Sequence, residues 1–286
     1  MSLNLSRIGL GTWAIGGGGW KFGWGAQDDK ESIKTIHKAL ELGINWIDTA
    51  PLYGFGHAET IIGRALKTAP KKPFIATKCG IVWNSKREPS HVLKAQSIKT
   101  EIDASLKRLK QEYIDICFIH WPSPAEQLLE GWGCIRDLIK EGKIRAGGIS
   151  NFTADQLAEV SSIAVPEFAQ NEFNILKNSV AQTIIPACKA AGTKFLAYGV
   201  LNKGLVTGRF DRDTLKDLTF DDHRKRENEF LDGRFTNRVN DVMNDAAKIG
   251  LTPAQYVIKW ALEQPGVDSV ICGMRNVKQV IENCLL

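Results

Sequence analysis

Eight short apolar runs recur along this 286-residue chain, and polar residues gather at or just past their C-terminal tips. The runs span residues 7–13, 44–47, 74–78, 113–119, 144–149, 168–172, 194–198 and 269–272. Amphipathic stretches lie between most of them. Within 29–42, for instance, Ile33, Ile36 and Leu40 share one helical face that ends at Gly43. Thr153 with Gln156 and Thr252-Pro253 with Gln255 read as capped helix starts. Strands alternating with helices imply a parallel sheet, and eight such units in a chain of this length fit a closed (β/α)8 TIM barrel. An open doubly wound sheet would instead need a glycine-rich phosphate turn opening a helix after its first strand. The run Gly16 to Gly19 has no helix of suitable phase directly behind it. The expectation is therefore a single barrel domain over residues 1–286, interrupted by a long charged loop at about 208–236. That loop includes Asp211, Arg212, Asp213 and the run Asp221 to Arg226, and reads equally as a pocket lid or a solvated excursion.

Composition narrows the classes. An apolar fraction of 43% supplies a core, and a formal charge of +5 suits a small anionic ligand but is too scattered for a nucleic-acid face. No apolar span reaches membrane length, and residues 1–10 lack the layout of a signal peptide, so a cytoplasmic location is expected, with no membrane partner. Six dispersed cysteines show no metal-ligand spacing, and Cys79, Cys117 and Cys272 fall inside apolar runs as buried thiols. Oligomeric state is not legible.

In a (β/α)8 barrel, chemistry sits where the strands end. Asp48, Lys78, His120, Ser150-Asn151, Gln170 and Tyr198 all fall there, and Tyr53 follows Asp48 across a short turn. Singly, each has a structural explanation: an ion pair, a loop aromatic, a satisfied histidine, a cap. Together they assemble a carboxylate, a phenol, an ammonium and an imidazole at one mouth. A phenol titrates near 10, too high to shuttle protons easily at neutral pH, and a neighbouring cation lowers it. Lys78 can be that cation, Asp48 can hold it, and His120 can bond a carbonyl oxygen. Such a set suits protonation of a developing alkoxide. None of it is a reductant, so a bound hydride donor is needed. His37, His57, His91 and His223 read as structural or surface residues.

The stretches GLGTW (9–13), IDTAPLYG (47–54), TKCG (77–80), IDICFIHWP (114–122), GGISN (147–151), AQNEFN (169–174), AYGVLNKGLVTG (197–208) and ICGMRNVKQVIEN (271–283) resemble the aldo-keto reductase superfamily. The likeness spans nearly the whole chain and is strongest to the bacterial branch of inositol-operon and general-stress reductases. The resemblance implies a metal-free, NADP-dependent carbonyl reductase. Its catalytic tetrad falls on Asp48, Tyr53 as general acid, Lys78 and His120. It assigns the nicotinamide to Ser150, Asn151, Gln170 and Tyr198, with Asp48 beneath, and the pyrophosphate to Gly199, Leu201 and Gly204. The adenosine end falls to Gly273, Arg275, Gln279 and Asn283. Trp13 and Trp121 join Tyr53 and His120 around the substrate. An arginine at a helix start is apt for a 2′-phosphate, hence NADP rather than NAD. This chain departs from the family in having Gly199-Val200 where Ser-Pro is usual and Met274 where a small residue is common, and in ending soon after Asn283. Those departures imply looser cofactor binding and a shortened pocket wall. They also motivate a second reading, a cofactor-binding sensor or scaffold with little turnover. A metal-dependent barrel hydrolase using Asp48 and His120 is a third, and it wants clustered ligands that the sequence does not offer.

Overall fold

A computed structural model describes residues 3–208, 210 and 214–285; Asp211, Arg212 and Asp213 of the charged loop lie outside the described residues. Eight parallel strands close into a barrel: β1 (Ile8–Gly11), β2 (Trp46–Asp48), β3 (Phe74–Cys79), β6 (Ile114–Ile119), β7 (Ile144–Ser150), β8 (Phe168–Glu172), β9 (Lys194–Tyr198) and β10 (Ser269–Gly273). The remaining strands, β4 (Ile81–Trp83) and β5 (Pro89–His91), form an antiparallel hairpin after β3. The helices are α1 (Asp29–Glu41), α2 (His57–Ala65), α3 (Ala95–Leu109), α4 (Leu128–Lys140), α5 (Ala154–Ser161), α6 (Ile184–Ala191), α7 (Asn228–Leu231), α8 (Thr236–Lys248), α9 (Pro253–Glu263) and α10 (Val277–Cys284). Both threonine capping boxes are present, on α5 and α9.

Strand side chains alternate between two cores. One layer fills the barrel with Trp46, Ala76, Ile116, Phe118, Ala146, Phe168, Leu196 and Ile271. The larger core lies between strands and helices. The interior is packed large against small. A methyl on Gly9 would meet the Trp46 ring at 2.2 Å, and one on Gly148 would meet Phe118 at 2.4 Å. Two residues further along stand Asp48 after Trp46, Lys78 after Ala76, His120 after Phe118 and Gln170 after Phe168. The apolar plug thus leads directly up to a polar layer at the C-terminal rim. Cys79, Cys117 and Cys272 are buried free thiols, as expected.

Several boundaries differ from the sequence expectation. The expected helix over 125–141 begins with a 3-10 turn, Ala125–Gln127, before α4. The one over 180–191 is divided at Thr183 into a 3-10 turn and α6. Among its described residues the charged loop is largely exposed, with a buried stretch at Asp222–Arg224. It holds a 3-10 turn (His223–Arg226) and α7, and it rests on the glycine loop across the barrel mouth. There the Asp221 carboxylate accepts from Gly19 N at 2.7 Å, and the His223 backbone N–H donates to Gly23 O at 3.0 Å. The Arg224 guanidinium lies over the Trp24 ring at 4.8 Å. Among the described residues no helix is long and apolar enough to cross a membrane.

Candidate active site

The β2 and β3 tips bring Asp48 and Lys78 together in the polar layer. The Lys78 ammonium donates to both Asp48 carboxylate oxygens at 2.8 Å, to Thr49 O at 3.0 Å and to the Tyr53 hydroxyl at 3.2 Å. Lys78 is 1% exposed and Asp48 3% exposed. Such a pair persists away from water only because its remaining hydrogen-bonding capacity is also used. Gln170 Nε2 donates to Asp48 Oδ1 at 2.9 Å, completing that shell. Gln170, expected at the nicotinamide, therefore points at the carboxylate from below.

Tyr53 reaches the ammonium because the chain turns sharply after β2. Gly54 lies at φ 63°, and a methyl there would meet Gly16 O at 2.1 Å. The glycine loop and the tyrosine turn touch backbone to backbone, which only residues without Cβ allow. Trp13 then stacks on Tyr53 at a centroid distance of 6.2 Å, and His120 meets the same ring edge-on at 6.2 Å.

Electrostatics correct one expectation. Burial pushes the Tyr53 phenol up; the Lys78 charge works against this but does not reverse it, and Asp48 adds to the rise. The phenol is thus a protonated donor through neutrality, and its affinity for the proton is not lowered. For Lys78, burial pulls down, but the Asp48 charge, Tyr53 and their hydrogen bonds outweigh it, so the ammonium keeps its proton. Burial first, and the Lys78 charge second, hold His120 well below its ordinary value, leaving a neutral imidazole.

Ser150, Asn151 and Tyr198 form the next sector of the rim. Asn151, at φ 65°, donates through Nδ2 to His120 O at 2.9 Å and to Ser150 Oγ at 3.1 Å, while its Oδ1 accepts the Tyr198 hydroxyl at 2.7 Å. A cavity of about 560 Å³ opens beside them, with Trp121 at its rim and Asn171, Glu172 and Lys177 in its wall. Asn171 is a residue that sequence reasoning does not single out. It donates through Nδ2 to Phe152 O at 3.0 Å, while its buried Oδ1 has no partner among the described residues. An unpartnered amide acceptor in this wall is apt for a carboxamide N–H such as that of nicotinamide.

Beyond β9, Gly199 adopts φ 69°, and its carbonyl accepts from Asn202 N at 2.7 Å and Asn174 Nδ2 at 3.1 Å. These two asparagines hold the turn after β9. Leu201 caps the following 3-10 segment, within which Gly204 lies at φ 93°. Met274 is fully buried in the core. At the β10 tip Gly273 is exposed, with nothing within 4 Å of where a side chain would begin. Arg275 and Gln279 face a second cavity of about 340 Å³, and Asn283 is buried on α10. A rim of amide and hydroxyl donors and acceptors, one arginine and an open glycine tip fits a dinucleotide laid across the mouth.

Trp13 also packs against His223 at 5.0 Å, in a stacked arrangement. His223 Nδ1 faces Gly23 O at 3.0 Å; a carbonyl only accepts, so this nitrogen carries the proton, and the buried Nε2 has no partner among the described residues. Among the described residues no three His, Cys, Asp or Glu side chains converge as a metal ion would require, and Asp48 is already committed to Lys78 and Gln170.

The model of the Aldo/keto reductase family matches residues 7–285. "Aldo-keto reductase YhdN" of Bacillus subtilis (strain 168) is 36% identical over 97% of this chain and 84% of its own length. The "NADH-specific methylglyoxal reductase" of Escherichia coli (strain K12) is 35% identical over 98% of this chain and 89% of its own. Among solved structures, glycerol dehydrogenase AKR11B4 from Gluconobacter oxydans superposes with a TM-score of 0.88 at 35% identity, covering 100% of this chain and 88% of that one. With a closed eight-stranded barrel and a Lys78–Asp48–Tyr53 cluster at its mouth, this chain belongs to the aldo/keto reductase family.

Proposed function

We propose that this chain is a cytoplasmic reductase of small aldehydes and ketones, with NADPH as the hydride donor that Arg275 favours and Tyr53 as the proton donor. The observation that carries the proposal is the 3.2 Å contact between the Tyr53 hydroxyl and an ammonium pinned on both oxygens of Asp48. When bound, the nicotinamide supplies the hydride. As charge develops on the carbonyl oxygen, the Tyr53 hydroxyl hands over its proton, and the phenolate left behind is stabilised by the adjacent Lys78 charge. A protonated phenol at neutral pH is the state this task requires, and burial maintains it. Neutral His120 orients the carbonyl oxygen by a hydrogen bond. Trp13 screens one side of Tyr53 from water, and Trp121 stands at the rim of the neighbouring cavity. Asn151 ties His120 to Tyr198 and so aligns the hydride side with the proton side.

The test is Tyr53→Phe assayed with NADPH against a panel of aldehydes. Turnover falls about 100- to 10,000-fold, the span typical of general acid–base catalysis, while NADPH still quenches tryptophan fluorescence. Undiminished turnover removes Tyr53 as the acid. Tight NADPH binding by the unaltered chain with no carbonyl reduced would favour the sensor or scaffold reading instead.

A further inference from the structure

The second cavity lies between the starts of α1 and α10, walled by Gln27, Asp28, Glu31, Arg275, Asn276 and Gln279. Arg275, the cation in that wall, is already engaged. It donates through Nε to Gln27 Oε1 at 2.9 Å, through Nη1 to Trp24 O at 3.0 Å and through Nη2 to Ala26 O at 2.7 Å. These acceptors are neutral, so they hold the guanidinium in place without cancelling its charge. The first-turn amides of α10, the groups a phosphate would seek, are met by side-chain oxygens. Asn276 Oδ1 accepts from Gln279 N at 2.9 Å, and Glu31 Oε1 accepts from Val277 N at a long 3.3 Å. Glu31 is itself fixed in the first turn of α1, where Asp28 caps its backbone N–H at 2.7 Å.

Arg275 and two carboxylates, Asp28 and Glu31, therefore line the same small space, and Asp28 is committed to the Glu31 N–H. An arginine favours a ribose 2′-phosphate; a carboxylate accepts from a ribose 2′-hydroxyl and repels a phosphate. Resting on the reading that this cavity takes the adenosine ribose, the geometry points to Glu31 as the residue that sets cofactor choice. It tempers the NADPH preference that Arg275 sets, so that NADH is admitted as well. The weak 3.3 Å bond to Val277 lets the carboxylate turn to a ribose hydroxyl without breaking a strong contact.

The test titrates each reduced dinucleotide into the unaltered chain, Glu31→Gln and Arg275→Gln, reading Kd from tryptophan fluorescence at low and high salt. Glutamine keeps the acceptor toward Val277 and removes only the charge. In the unaltered chain the two Kd values lie within about tenfold of each other. Glu31→Gln lowers the NADPH-to-NADH Kd ratio about tenfold, and Arg275→Gln raises it by a similar factor. Added salt shrinks both effects. A ratio unmoved by Glu31→Gln, or a strong NADPH preference in the unaltered chain, overturns the inference while leaving the proposed reductase intact. Failure of the unaltered chain to bind either dinucleotide overturns both.

Discussion

Lys78, Asp48 and Gln170 project from three barrel strands and satisfy one another out of reach of water, whereas Arg275, Gln27 and Glu31, past the ends of the strands, sit on loops and helix starts and remain partly exposed. The strand-mounted charges cannot be separated without leaving one of them buried and unpaired. The loop-mounted charges are only partly covered and more open to screening, so changing one leaves no fully buried charge unpaired. Chemistry common to the whole family can rest on the first kind of construction, and selectivity that differs between relatives on the second.

The contrast is broken most strongly at the strand-mounted end. Lys78→Met strands the Asp48 carboxylate in the interior and should cost about 3–5 kcal/mol of stability, the usual penalty for removing one member of a buried pair. It should also lower kcat about 100-fold or more by leaving the phenolate without its cation. Thermal melting and steady-state assays read the two effects separately. If the melting temperature and kcat are both unchanged, the pair is not the framework described above.

A smaller effect is expected where the charged loop meets the glycine loop. His223→Leu removes one hydrogen bond to Gly23 and with it a buried nitrogen that has no partner among the described residues, so stability should change by no more than about 1 kcal/mol. Because His223 backs Trp13, the KM for the carbonyl should rise about threefold while kcat holds. A fall in kcat comparable to that of Lys78→Met would erase the distinction between the two ends.

The barrel is legible in the sequence because each strand is an apolar run with a polar tip, a pattern that survives when the exact strand ends shift by a residue or two. The convergence of Asp48, Lys78 and His120 at one mouth is legible for the same reason, because strand alternation carries all three onto the interior face. The hairpin β4–β5 is not, since Pro89-Ser90-His91 is exposed and carries no apolar alternation. Asn171 hides beside Gln170, although adjacent strand residues face opposite ways and the two do different work. Glu31 has a signal in the Asp28-x-x-Glu31 cap, but its approach to α10 depends on a contact 246 residues away in sequence. The direction of the Tyr53 shift escapes the sequence because spacing reveals a nearby lysine and not the depth of burial that outweighs it.

The central claim is that a buried, protonated phenol, and not the imidazole, gives up the proton. Its most direct test is the pH dependence of carbonyl reduction under saturating cofactor. The Tyr53 phenol is raised above its ordinary value near 10, so the donor remains protonated and the rate should hold level from about pH 6 to 9, falling only above about 10. His120 is held well below 6.5 and adds no step in that range. A rate that instead declines between about pH 6 and 8 would assign the proton to a group titrating near neutrality and contradict the account.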